Sequence, residues 1–368
     1  MSAAALPISN GMIIDVVKVI APATIAFLIG IGVTPLIAYY LYKYKAWKKK
    51  PRSRALDGSE ALVFNELHAE KEIGTPRMGG IVIWLSVFLT TIGVWLVARL
   101  FPSEIFGQLD FLSRNQTWIP FFTLMAGSLV GLVDDIFEIN GRGGHIAGGL
   151  SLTKRLSIIA AISIFVGWWF FAKLDIVSIA IPFSDPLFLG AFIIPLFVIV
   201  TLALYASGVI DGLDGLAGGI FSIIFLAYAG ITFEQGQIDL AAFCATIAGA
   251  ILAFLWFNIP PARFYMSETG TMGLTVTLAV VAFMADTLGG GHGLFVLPII
   301  ALPLLLTVGS VIIQMLSKRL RRGKKVFRIA PIHHHFEAIG WPSYKVTMRF
   351  WVLGIVFSLI GVIVAFIG

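Results

Sequence analysis

Charge is scarce in this chain. Asp, Glu, Lys and Arg make up 12% of its 368 residues, where a soluble domain carries about 25%. Too few ionic side chains are present to coat a water-facing surface, so a soluble globular domain is excluded. Cysteine is nearly absent. Cys244 stands alone in an apolar run, which rules out a disulfide within the chain and leaves the redox compartment undecided. The N-terminal stretch MSAAALPISNGMIIDVV lacks a basic start and a small-residue cleavage pattern, so no cleaved signal peptide is expected. Internal repeats and low-complexity tracts are missing too, and residues 1–368 are expected to form a single membrane domain.

Apolar sequence takes the place of charge, at 58% of residues. A bilayer core about 30 Å thick needs about 20 apolar residues in a helix. Ten segments qualify, near 13–42, 79–101, 117–133, 156–174, 187–207, 213–233, 239–257, 270–288, 293–316 and 347–367. The fold class is therefore all-α, a polytopic membrane protein with about ten transmembrane helices. Lys and Arg predict its orientation. Of 26 such residues, 22 fall in the loops after spans one, three, five, seven and nine, with Arg349 counted at the edge of the last span. That bias predicts these loops in the cytoplasm and both termini on the periplasmic side. The two most basic loops, KYKAWKKKPRSR and SKRLRRGKKVFR, serve as orientation signals and also suit contact with anionic headgroups or an anionic substrate.

The unusual polar residues gather on the same predicted face. Loops near 43–78, 134–155, 208–212, 258–269 and 317–346 carry them and are expected to form the active site. Acids at membrane depth are costly and so point to function. Asp134 and Asp135 are adjacent, and on a helix they splay by about 100°. One can hold a metal while the other acts as a base or supports it. A divalent ion would relieve their repulsion, and oxygen ligands favour Mg²⁺ over zinc. The plain alternative is a solvated acidic pair at a helix end. Asp211 and Asp214, three residues apart, are expected on one face at the N-terminus of span six, where free N–H groups favour anions. The glycines around them, taken alone, fit a helix-packing face instead. His333, His334 and His335 can donate to phosphate oxygens. Zinc is disfavoured there, because three consecutive rings do not easily converge on one ion and no cysteines accompany them; a polar interface loop is the other reading. Together these groups predict Mg²⁺-assisted phosphoryl or phosphosugar transfer with a lipid reactant. A transporter of an anionic solute is the competing class, but transporters place such residues at the midplane between repeats.

At GTPRMGG, LVDDIFEI, DGLDGLAGG, FNIPPARFYMSETG and APIHHHFEAIGWPS the chain resembles the polyprenyl-phosphate N-acetylhexosamine-1-phosphate transferase superfamily. Within it the HHHFE run resembles the branch that makes lipid I. The resemblance implies a bacterial inner-membrane enzyme. It would transfer phospho-N-acetylmuramoyl-pentapeptide from UDP-MurNAc-pentapeptide to undecaprenyl phosphate, with UMP leaving. It also implies Mg²⁺ at Asp134, Asp135 and Glu268, and catalytic roles for Asp134, Asp135, Asp214 and the histidines 333 to 335. Substrate contacts are implied for Lys71, Thr75, Lys154, Arg155, Asp211, Asn258 and Tyr265. A homodimer is a further expectation.

Several positions depart from the superfamily's pattern. Arg77 stands at the second threonine of GTPTMGG, and Gly208 and Ile210 replace an asparagine and a threonine before DGLDG. Glu268 replaces the metal-binding aspartate, and Tyr265 another aromatic residue. Lys154 and Arg155 shift the basic pattern after GL, and Glu72 takes a lysine's place beside Lys71. These changes cluster at the donor site, so transfer from another UDP-sugar, such as UDP-GlcNAc, stays open as the alternative.

Overall fold

The computed structural model describes residues 10–49, 73–113, 116–141 and 149–368. Lys71 and Glu72 lie outside these residues. Within them the apolar runs are helices, since a bilayer offers the backbone no other hydrogen-bond partner. In chain order they are α1 (Asn10–Lys43), α2 (Gly80–Leu100), the short α3 (Glu104–Leu109), α4 (Trp118–Ile139) and α5 (Leu152–Lys173). A two-residue hairpin follows, β1 (Ser178–Ile179) pairing antiparallel with β2 (Leu187–Phe188). Then come α6 (Ile193–Ser207), α7 (Leu216–Glu234), α8 (Ile238–Asn258), α9 (Ser267–Met284), α10 (Gly293–Ile300), α11 (Leu302–Leu320), α12 (Ile332–Ala338) and α13 (Ser343–Ile367). Among the described residues ten helices are long and apolar enough to cross a membrane, as the sequence predicts.

Four boundaries differ from the expected ones in ways that matter. Span three continues to Ile139, so Asp134 and Asp135 lie within the last turns of α4 rather than beyond its end. Span five begins after the hairpin, because residues 187 and 188 pair as β2. Span six starts at Leu216, preceded by Gly215 at φ 74, so Asp211 and Asp214 sit in a turn and do not share a helical face. Gly215 takes up the left-handed conformation that a helix cannot contain. Span nine is two helices, α10 and α11, meeting at Ala301 (φ −93, ψ 21). Pro303 has no N–H to extend α10 through this point, and its ring would clash with the preceding turn.

α9 is the central post. Of its most apolar window 94% is buried, against 17% for α1 and 22% for α13 at the periphery. Phe170 of α5 stacks on Phe283 of α9, and Phe197 of α6 meets both edge-on, with centroids 4.9 to 6.1 Å apart. Membrane helices associate through close backbone contact more than through hydrophobic burial. A Cβ at Gly131 of α4 would strike the Glu268 carbonyl oxygen, and one at Gly80 of α2 would strike the backbone of Gly270. These contacts seat the N-terminal end of α9 between α2 and α4, and the polar residues collect there. At the other end Asp286 accepts the Ala180 N–H (2.7 Å) and the Leu294 N–H (2.9 Å), tying the hairpin to the start of α10.

Candidate active site

Ser267, the first residue of α9, is a hub. Its Oγ donates to Asp135 Oδ2 (2.6 Å) and accepts the Met78 N–H (2.9 Å), while its N–H donates to Asp211 Oδ2 (2.7 Å). Both Ser267 (φ 54) and Met78 (φ 65) adopt left-handed backbone, a strain that the surrounding contacts must hold. The loop carrying Met78 runs beside the start of α9 as a backbone ladder. Tyr265 N–H donates to the Pro76 carbonyl (2.8 Å), Gly79 N–H to the Tyr265 carbonyl (2.8 Å), and Gly80 N–H to the Met266 carbonyl (3.1 Å).

Asp135 is fully buried, and its Oδ2 takes two further bonds, from the Thr269 N–H (2.9 Å) and Oγ1 (2.6 Å). Its Oδ1 accepts no hydrogen bond among the described residues and faces Arg77 Nε at 3.6 Å. Arg77 reaches Glu138 with Nη2 (3.0 Å), and Lys48 meets the other Glu138 oxygen (2.8 Å). On the far side of Asp135, Asp134 accepts the Leu150 N–H (2.6 Å), and Arg155 lies between Asp134 (3.5 Å) and Glu268 (2.8 Å). Burial pushes the Asp211 carboxyl up to about 6, against the lowering pull of the Ser267 N–H and the Arg77 charge.

The histidines reach the same place from α12. A Cβ built on Gly212 would fall on Nε2 of both His333 and His334, so these rings rest against the turn next to Asp211. His334 Nδ1 bonds Glu337 (2.8 Å). A carboxylate partner holds a proton on Nδ1, which leaves Nε2 facing Gly212. His335 turns away, its Nδ1 accepting the Arg328 N–H (3.2 Å).

The other sequence candidates divide. Arg155, Asp211 and Glu268 join the acidic cluster, and Thr75 and Tyr265 lie along the ladder. Lys154 is exposed at the start of α5. Asp214 points elsewhere, accepting the Ala262 N–H at 3.2 Å. Asn258 has both ends on backbone, accepting from Gly215 (3.0 Å) and donating to Phe264 (2.8 Å), so it braces the turn that carries Asp211. Sequence reading missed Ser267, Thr269, Glu138 and Lys48. A signal existed for Glu138 alone, as an acid one turn beyond Asp135 on the same helical face.

The oxygens suit a hard divalent cation. Asp134, Asp135, Glu138, Asp211 and Glu268 face Lys48, Arg77 and Arg155, which leaves a deficit of two positive charges when all are ionised. Asp135 Oδ1, buried without a donor, is the kind of oxygen such an ion takes. No three acidic, histidine or cysteine groups already converge among the described residues; Arg155 is shared by Asp134 and Glu268 instead.

The profile of Glycosyl transferase family 4 matches residues 117–286, from the start of α4 to the end of α9. Proteins named phospho-N-acetylmuramoyl-pentapeptide-transferase are similar over most of the chain. The one from a Geobacillus species is 34% identical over 298 residues, covering 80% of this chain and 84% of its own. The one from Anoxybacillus flavithermus is 31% identical over 347 residues (92% and 95%), and the one from Pelagibacter ubique 34% over 319 residues (80% of each).

Proposed function

The chain belongs to the phospho-N-acetylmuramoyl-pentapeptide-transferase family, and from that premise we propose that it makes lipid I at the inner face of the bacterial plasma membrane. A phosphate oxygen of undecaprenyl phosphate attacks the β-phosphorus of UDP-MurNAc-pentapeptide, and the bond to the α-phosphate oxygen breaks to release UMP. One observation carries this reading: acids of α4 and of the turn before α7 meet on Ser267 at the head of α9, with two imidazoles packed on that same turn. No single segment could bring these groups together, and a diphosphate needs charges converging from several sides.

Asp134, Asp135 and Glu268 would hold Mg²⁺, which supplies neutralising charge to phosphate oxygens. Asp135 presents Oδ1 to the reacting groups while its Oδ2 is locked. Arg155, between Asp134 and Glu268, offers a guanidinium to the diphosphate. His333 and His334 line the Gly212 turn, where, in the imidazolium form, their Nε2–H groups can donate to phosphate oxygens. Asp211 and the ladder through Tyr265 frame the donor side.

Purified protein given Mg²⁺, a polyprenyl phosphate and UDP-MurNAc-pentapeptide should release UMP. Asp135→Asn and His334→Ala should each lose most turnover while the protein stays folded. Release from UDP-GlcNAc in its place would reassign the donor. Solute uptake into vesicles without UMP release from any UDP-sugar would replace the transferase with a transporter.

A further inference from the structure

Arg77 stands where the superfamily's motif carries a threonine, and the structure shows what surrounds it. Its N–H bonds the Ala46 carbonyl (2.7 Å), which ties the loop after α1 to the ladder loop. Its side chain lies between two acids of one helix. Nη2 pairs with Glu138 at 3.0 Å, and Nε faces Asp135 Oδ1 at 3.6 Å. Glu138 is itself gripped from the other side by Lys48 at 2.8 Å, and both of those side chains are less than one-tenth exposed. The charges therefore alternate along a buried line: Lys48, Glu138, Arg77, Asp135. Three separate parts of the chain supply it, namely the loop after α1, the ladder loop and α4.

A buried charge is kept only where its partners compensate it. Lys48 and Glu138 have no role of their own in the proposed chemistry. They do fix the far end of a guanidinium whose near end looks at the one Asp135 oxygen without a hydrogen bond. Arginine's rigid fork can hold two carboxylates in register, which a lysine does only in part, through its charge, and a threonine not at all. We propose that Arg77 is a positioning residue that aims Asp135 Oδ1 at the reacting phosphates, and that the buried Lys48–Glu138 pair fixes Arg77 for this task. The inference rests on the transferase reading and adds to it a positioning relay built on Arg77, a departure from the superfamily motif.

The test measures UMP release by the full-length protein in detergent, with melting temperature alongside. Arg77→Thr should lower kcat about a hundredfold, the scale of a misplaced reacting group, and leave KM for both substrates unchanged. Arg77→Lys should recover part of that loss. Removing Glu138 alone would take a carboxylate partner from two cations and risk misfolding, so the second variant is the double replacement Lys48→Met with Glu138→Leu. Apolar replacement of a buried ion pair is often tolerated, and Arg77 keeps Asp135 beside it; the double variant should stay folded, with at most a small drop in melting temperature, and still lose kcat. Wild-type kcat in Arg77→Thr or in the double variant would overturn the proposal. So would a loss carried by KM, or a loss that tracks melting temperature and is not relieved by lysine. If the wild type releases UMP from no UDP-sugar, the transferase reading fails and this inference falls with it. Activity in the wild type with unaffected variants removes the inference alone.

Discussion

Ser267 shows how much one small side chain can organise. Its hydroxyl donates to a fully buried carboxylate and accepts from the opposite loop, while its N–H holds Asp211. Ser267→Ala should cost about 1–3 kcal/mol, because Asp135 loses a donor and the Met78 N–H loses its acceptor inside the protein. Thermal unfolding in detergent would check this, and an unchanged melting temperature would contradict the hub. The backbone bond to Asp211 survives the substitution, so Ser267→Ala should be milder than Asp135→Asn in turnover. Ser267 was invisible in the sequence because a serine at a helix start ordinarily caps its own helix. Here it reaches Asp135, 132 positions back along the chain.

At the scale of elements, the site depends on how tightly α4 and α2 press on α9. Gly131→Ala should destabilise by about 1–3 kcal/mol or more, since the added methyl meets the Glu268 carbonyl and backbone gives way less readily than a side chain. Gly93→Ala on α2 is the control, because a Cβ there meets nothing within 4 Å; it should be neutral or stabilising by up to about 1 kcal/mol. Equal melting temperatures for the two would show that the α4–α9 contact is not what holds the site. The helices themselves were legible because twenty apolar residues admit few other structures. The gathering of Asp135, Asp211 and Glu268 at one end was also legible, from loop charge and motif position. The local geometry was not. A spacing of three suggested that Asp211 and Asp214 share a helical face, yet Gly215 at φ 74 delays the helix, and the two carboxylates hold Ser267 and Ala262 instead. The break at Ala301 was hidden because apolar composition is continuous across it. Lys48 read only as loop charge and Glu138 drew no reading of its own, since their pairing joins residues 90 positions apart and leaves no periodic trace.

For the whole molecule, the distribution of Lys and Arg predicts which end meets the cytoplasm, and accessibility to a membrane-impermeant maleimide would test it. Cys244 is buried, so the natural chain should give little background. Phe188→Cys on the hairpin should label in intact cells, and Lys325→Cys beyond α11 only after the membrane is opened. The reverse pattern would invert the orientation. A last consequence follows from the ladder between residues 76–80 and 265–267. Its rungs are main-chain N–H and carbonyl groups, so the side chains of Arg77 and Tyr265 take no part in them, whereas Gly80 and Ser267 are fixed by what they touch. A replacement at 77 or 265 can therefore change what the strip displays to a bound molecule without dismantling the strip itself.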